Sequence, residues 1–108
     1  MATAYVTDKR FAAHTMDGHP EFAGRLTAIA RRFEQVDVYK CLQRLDIQPA
    51  SLDALRAVHA EKYLERLERT AEHAGPVMFG LDTYVTPQSY AIACLAAGGV
   101  VGVVDAVM

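Results

Sequence analysis

The residues best able to do chemistry gather in one early stretch, His14-Thr-Met-Asp-Gly-His-Pro-Glu21. His14, Asp17 and His19 are the metal-ligating side-chain types that fall together there. A catalytic zinc takes about three protein ligands plus a water. The spacing i, i+3, i+5 in a glycine-containing loop is not a zinc signature, so no metal site is expected at these residues. Arg25 follows on a helix. Its guanidinium is permanently charged and can clamp a carboxylate with two bonds, but by position alone it reads as a solvated helix charge. Asp82 stands in a loop, where a carboxylate commonly bonds nearby backbone N–H groups. His59 stands at a helix start and is expected to cap or pack. Tyr63 and Tyr90 lie on apolar helical stripes and are expected in the core, each hydroxyl reaching a partner. Cys41 and Cys94 form no CxxC pair and read as reduced, buried thiols.

The elements that must position these groups follow from periodicity. Ala4 to Thr7 is a short β-prone run closed by Asp8, Lys9 and Arg10. Gly18 and Pro20 make the histidine stretch a loop, with proline tolerated in the first turn of the helix after it. Leu26, Ile29, Ala30 and Phe33 recur at helical spacing. Leu45 to Ile47 suggests a second strand, ended by Pro49. Ser51 is a plausible N-cap for a helix over Leu52 to Val58. A stronger helix opens at His59, with Tyr63, Leu64, Leu67 and Ala71 as its apolar stripe and Glu65–Arg69 as an i,i+4 pair. Gly75-Pro76 breaks it. Gly80 to Pro87 is a loop, and Thr86-Pro87 caps and starts a last helix.

That last helix carries no charge from Tyr90 to Val104. A helix apolar all round must be covered on all sides. The few preceding elements cannot wrap it, which suggests a chain cut within or just after a helix, or self-association through that helix. Gly98-x-x-x-Gly102 is also the spacing of close helix packing in bilayers. The segment is nevertheless poor in leucine and lacks flanking basic anchors, so no membrane span is expected. In a water-soluble fold the same glycines would let the helix lie close against a sheet.

The totals agree with one folded unit. The chain has 108 residues, 52% of them apolar, and a formal net charge of -2. That is enough for one domain and too apolar for a disordered tail. The charge balance argues against a nucleic-acid partner. Met1 to Arg10 lacks a secretory pattern, and with the unpaired cysteines the expected location is cytoplasmic.

Three segments, taken in order, resemble the histone deacetylase superfamily, which includes bacterial acetoin-utilisation proteins and acetylpolyamine amidohydrolases. His14-Thr-Met-Asp-Gly-His-Pro-Glu-Phe-Ala-Gly-Arg-Leu26 resembles H-x-x-x-G-H-P-E-x-P-x-R-L. Val58-His59-Ala-Glu-Lys-Tyr63-Leu64 resembles V-H-x-x-x-Y-[LIV]. Leu81-Asp82-Thr83-Tyr-Val-Thr-Pro-Gln-Ser-Tyr90, running on to Ala97-Gly98-Gly99, resembles D-T-x-V-S-P-x-S-Y…A-A-G-G. Ala23 replaces the usual proline and Gly24 an acidic residue. The family's tandem histidines, its Asp-x-His and Asp zinc ligands and its late tyrosine have no counterpart here.

The resemblance implies an α/β fold: residues 1–108 as the N-terminal part of a single three-layer arginase–deacetylase domain, mostly helical, with two short strands and four helices. It implies a hydrolase that uses zinc to remove acyl groups from an acetylated lysine protein or a polyamine. Zinc would belong to the longer enzyme, and this chain, holding no catalytic or metal-binding residue, would be inactive alone. His14, His19 and Asp82 would form the pocket rim. Arg25 would stand at the foot of the acyl pocket, in an internal channel passing acetate. The alternative is a non-catalytic module that only self-associates.

Overall fold

The computed structural model describes residues 2–108. Strand β1 (Thr3–Tyr5) pairs in parallel with β2 (Leu42–Arg44), in the register Thr3–Leu42, Ala4–Gln43, Tyr5–Arg44. Between them runs helix α1 (Gly24–Gln35). Helices α2 (Leu52–Arg56) and α3 (Glu61–Arg69) follow. Strands β3 (Val77–Met78) and β4 (Tyr84–Val85) form an antiparallel hairpin, and α4 (Ser89–Val107) ends the chain. The four helices stand where periodicity places them. Among the described residues the strands number four, in two separate sheets, rather than two.

The expected second strand was three residues late. Leu45 and Ile47 are the apolar residues, but β1 pairs with the more polar run just before them, and only the Leu45 N–H extends the ladder, to the Tyr5 carbonyl at 2.9 Å. Ile47 instead packs on α4 against Gly99. The β3–β4 hairpin falls partly in the stretch read as loop. Helix α1 also begins later than Pro20. The Ala23 N–H donates to the Thr15 hydroxyl at 3.0 Å, and this holds the chain in a bend until Gly24.

The N-terminus of α2 is capped by its own side chain. Ser51 Oγ accepts from the Ala54 N–H at 3.1 Å, as expected of an N-cap. Ahead of α4, Thr86 bonds to Ser89 and Gln88: the Thr86 N–H donates to Ser89 Oγ at 2.7 Å, and Thr86 Oγ1 accepts from the Gln88 N–H at 3.3 Å. These bonds tie together the turn that leads into α4. Helix α3 opens at Ala60 rather than His59, so His59 caps nothing; its ring lies 5.3 Å from that of Tyr63. At the N-terminal 3₁₀ turn, the bond from Arg10 holds the Asp8 carboxyl at about 2, below the usual carboxylate range.

The apolar core is small: Leu64, Tyr84, Val85 and Leu95 are buried. Two expectations about the core fail. Tyr63 is 40% exposed, because the stripe of α3 turns Leu64 rather than Tyr63 inward. Cys41 is exposed and Cys94 half-buried, both as free thiols. Cys41 ends a 3₁₀ turn at the surface, where a thiol has no core to enter. Tyr90 is half-buried beside Cys94, and burial, then the neighbouring thiol, raises its pKa.

Helix α4 is long and apolar enough, by length and composition alone, to cross a membrane. It buries only Ser89, Leu95 and Gly99 against this chain, while Val100, Val101, Val104 and Val107 are exposed. Its buried side meets the extended segment after β2 at Gly98 and Gly99. The close approach that these glycines permit is therefore made to residues 47–50 and to Val6, not to a sheet face.

Candidate active-site rim

Tyr84 organises the site. It is 1% exposed, and its hydroxyl donates to the Glu21 carbonyl at 2.7 Å, with the His14 carbonyl at 3.4 Å. The His14 ring stacks on it, with centroids 4.6 Å apart and planes at 10°. The His19 ring meets it edge-on at 4.8 Å and 71°. Burial, then the negative charge of Glu21, raises the Tyr84 pKa, so the phenol stays a donor. The loop of residues 14–21 is thereby locked to the β4 segment some 63–70 positions later.

His14 reaches further. Its Nδ1 lies 2.6 Å from Ser89 Oγ, and one proton is shared across that contact. Its Nε2 lies 3.7 Å from a Glu21 carboxylate oxygen. Thr86 Oγ1 donates to the Ala13 carbonyl at 3.2 Å, so the start of α4 is bonded to the same loop. His19 Nδ1 accepts the Glu21 N–H at 3.0 Å, while Nε2 faces Asp82, 3.2 Å from its carbonyl and 3.3 Å from Oδ1. Among the described residues, the Asp82 carboxylate accepts no backbone N–H, so the local turn role open to it in the sequence is not the one it plays.

Arg25 is exposed and lines a cleft of about 270 Å³ with Phe11, His14, Phe22, Leu26 and Ile92. His14 therefore joins the cleft of Arg25 to the cluster that holds His19 and Asp82. Four residues singled out in the sequence come together, though His14 and His19 lie in one loop, Asp82 in another and Arg25 on α1. Among the described residues no group of three or more His, Cys, Asp or Glu side chains is placed to hold a metal ion.

The model of the histone deacetylase domain matches residues 19–108. The chain belongs to the histone deacetylase family. A probable deacetylase of Methanothermobacter thermautotrophicus is 38% identical over 88 residues, covering 80% of this chain and 25% of that protein. The chloroplastic histone deacetylase 10 of Oryza sativa subsp. japonica is 31% identical, covering 88% of this chain and 24% of its own length. The crystal structure of the HDA15 HD domain superposes with a TM-score of 0.82 at 27% identity, over 91% of this chain and 29% of that one. The fold is thus part of the α/β deacetylase fold, and the chain spans about a quarter of the length of the curated relatives it matches.

Sequence reasoning missed Tyr84, Thr86 and Ser89 as the residues that hold the loop of residues 14–21 in place. All three lie inside the third family-like segment, and Tyr84 is an aromatic in a β-prone run flanked by loop residues. That pattern was the available signal.

Proposed function

We propose that this chain is the N-terminal segment of a zinc-dependent deacetylase acting on acetyl-lysine or acetylpolyamine amides. In this reading it supplies the pocket rim through His14, His19 and Asp82, and the channel foot through Arg25. The residues described do not make a zinc-binding set, so the metal chemistry is assigned to the rest of the domain and the segment is inactive alone. The observation that carries the reading is the convergence of the two loops on Tyr84, within a chain that belongs to the deacetylase family.

The rim and the channel make different demands on a substrate. Only a peptide offers backbone N–H groups to an exposed rim carboxylate, whereas any acyl amide must use the pocket foot. In the longer enzyme, Asp82→Asn is expected to lower kcat/KM for an acetyl-lysine peptide about tenfold, the worth of a hydrogen bond to a charged group, and to spare a small acyl amide. Arg25→Ala is expected to impair both substrates. Equal losses for both substrates in Asp82→Asn would make Asp82 a loop-folding residue. Unimpaired turnover in Arg25→Ala would return Arg25 to the status of a surface charge.

A further inference from the structure

We propose that His19 is a positioning residue that aims the Asp82 carboxylate at the substrate. The proposal rests on the reading of Asp82 as a rim group. It goes beyond that reading by naming what holds Asp82 and which oxygen is left free.

The proton arrangement on His19 follows from its bonds. Nδ1 accepts the Glu21 backbone N–H, and a ring nitrogen that accepts carries no proton. The neutral ring therefore carries its proton on Nε2, the atom that faces Asp82. That single N–H is shared between the Asp82 carbonyl at 3.2 Å and Oδ1 at 3.3 Å. It grips the residue by its backbone and its side chain together.

The two partners are unequal in a way that assigns their roles. The His19 side chain is 12% exposed and the Asp82 side chain 93% exposed. The imidazole is fixed on three sides: by the Glu21 N–H, by the face of buried Tyr84, and by Asp82 itself. Asp82 sits between Gly80 and β4, and its carboxylate has no other hydrogen bond among the described residues. A rigid donor thus holds an otherwise free carboxylate. Oδ1 is engaged, and in so exposed a side chain Oδ2 is left free to accept a peptide N–H. Pre-ordering of this kind lowers the entropy cost of binding without adding a contact to the substrate.

The test uses the complete enzyme with an acetyl-lysine peptide and a small acyl amide. His19→Phe keeps the aromatic edge against Tyr84 and removes the donor. His19→Gln returns an amide N–H near the position of Nε2. His19→Phe is expected to lower peptide kcat/KM about tenfold, mainly through KM, while the small amide stays within about twofold. His19→Gln should recover most of the peptide loss. His19→Phe combined with Asp82→Asn should be no worse than Asp82→Asn alone, since both act through one carboxylate. Peptide selectivity lost in Asp82→Asn but retained in His19→Phe would overturn the positioning role and leave the rim reading intact. A selective loss in His19→Phe with none in Asp82→Asn would defeat the rim reading, and the proposal with it. Equal losses on both substrates in both His19 variants would make His19 a packing residue and overturn the proposal.

Discussion

Tyr84→Ala is expected to destabilise the protein by about 3–5 kcal/mol, the usual cost of truncating a buried aromatic. Tyr84 is the most completely buried large side chain among the described residues, and both loop histidines pack on its ring. Its removal leaves a void under His14 and His19 and frees the loop that presents them. Against a typical domain stability of roughly 5–15 kcal/mol, such a loss takes a large share. Tyr84→Phe separates packing from hydrogen bonding. It keeps the ring and loses only what the hydroxyl makes, the bond to the Glu21 carbonyl at 2.7 Å and the longer contact to the His14 carbonyl at 3.4 Å, so about 1 kcal/mol is expected. Urea denaturation of the two variants checks the order. A Tyr84→Ala loss no greater than that of Tyr84→Phe would mean that the loop is held by something other than this ring.

Gly98→Ala should also destabilise, although alanine is the better helix former by up to about 1 kcal/mol. A Cβ at Gly98 would run into the Gln48 carbonyl oxygen and lie 2.6 Å from both the Pro49 carbonyl carbon and the Ala50 nitrogen. These are backbone atoms. They belong to a segment tied to α4 by the Ala50 N–H bond to the Cys94 carbonyl at 2.9 Å, so they cannot swing aside as a side chain would. Overpacking of this kind typically costs about 1–3 kcal/mol, enough to outweigh the propensity gain. Gly102 is the internal control. Nothing lies within 4 Å of a Cβ built there, so Gly102→Ala should be neutral or stabilising by up to about 1 kcal/mol. Thermal melts should show a lower midpoint for Gly98→Ala and an equal or higher one for Gly102→Ala. A stabilised Gly98→Ala would show that α4 does not make this close approach.

The helices were legible in the sequence because each carries its own signal over many residues. The apolar spacing of α1 and the Ser51 cap are local, and the structure realises them where they were read. The strands were not, because each is two or three residues long and takes its register from a partner. Nothing local distinguishes Leu42–Arg44 from Leu45–Ile47 until β1 chooses one of them. The candidate site residues could be picked out from their motifs, but not their arrangement. That His19 grips Asp82, and that both histidines pack on the Tyr84 ring, depends on two loops meeting across the fold. Uniform apolarity implied that α4 needs cover on all sides and that the few preceding elements cannot give it, and a one-sided contact is what this chain provides.

The central claim is that this segment builds the rim and channel of a deacetylase whose metal is held elsewhere in the domain. Zinc content and hydrolysis of an acetyl-lysine peptide, measured side by side on these 108 residues and on the longer enzyme, test it most directly. The account predicts no stoichiometric zinc and no turnover for the segment, and turnover abolished by a chelator for the longer enzyme. About one tightly held zinc per segment with chelator-sensitive turnover would contradict it, as would a longer enzyme that leaves the acetyl group in place.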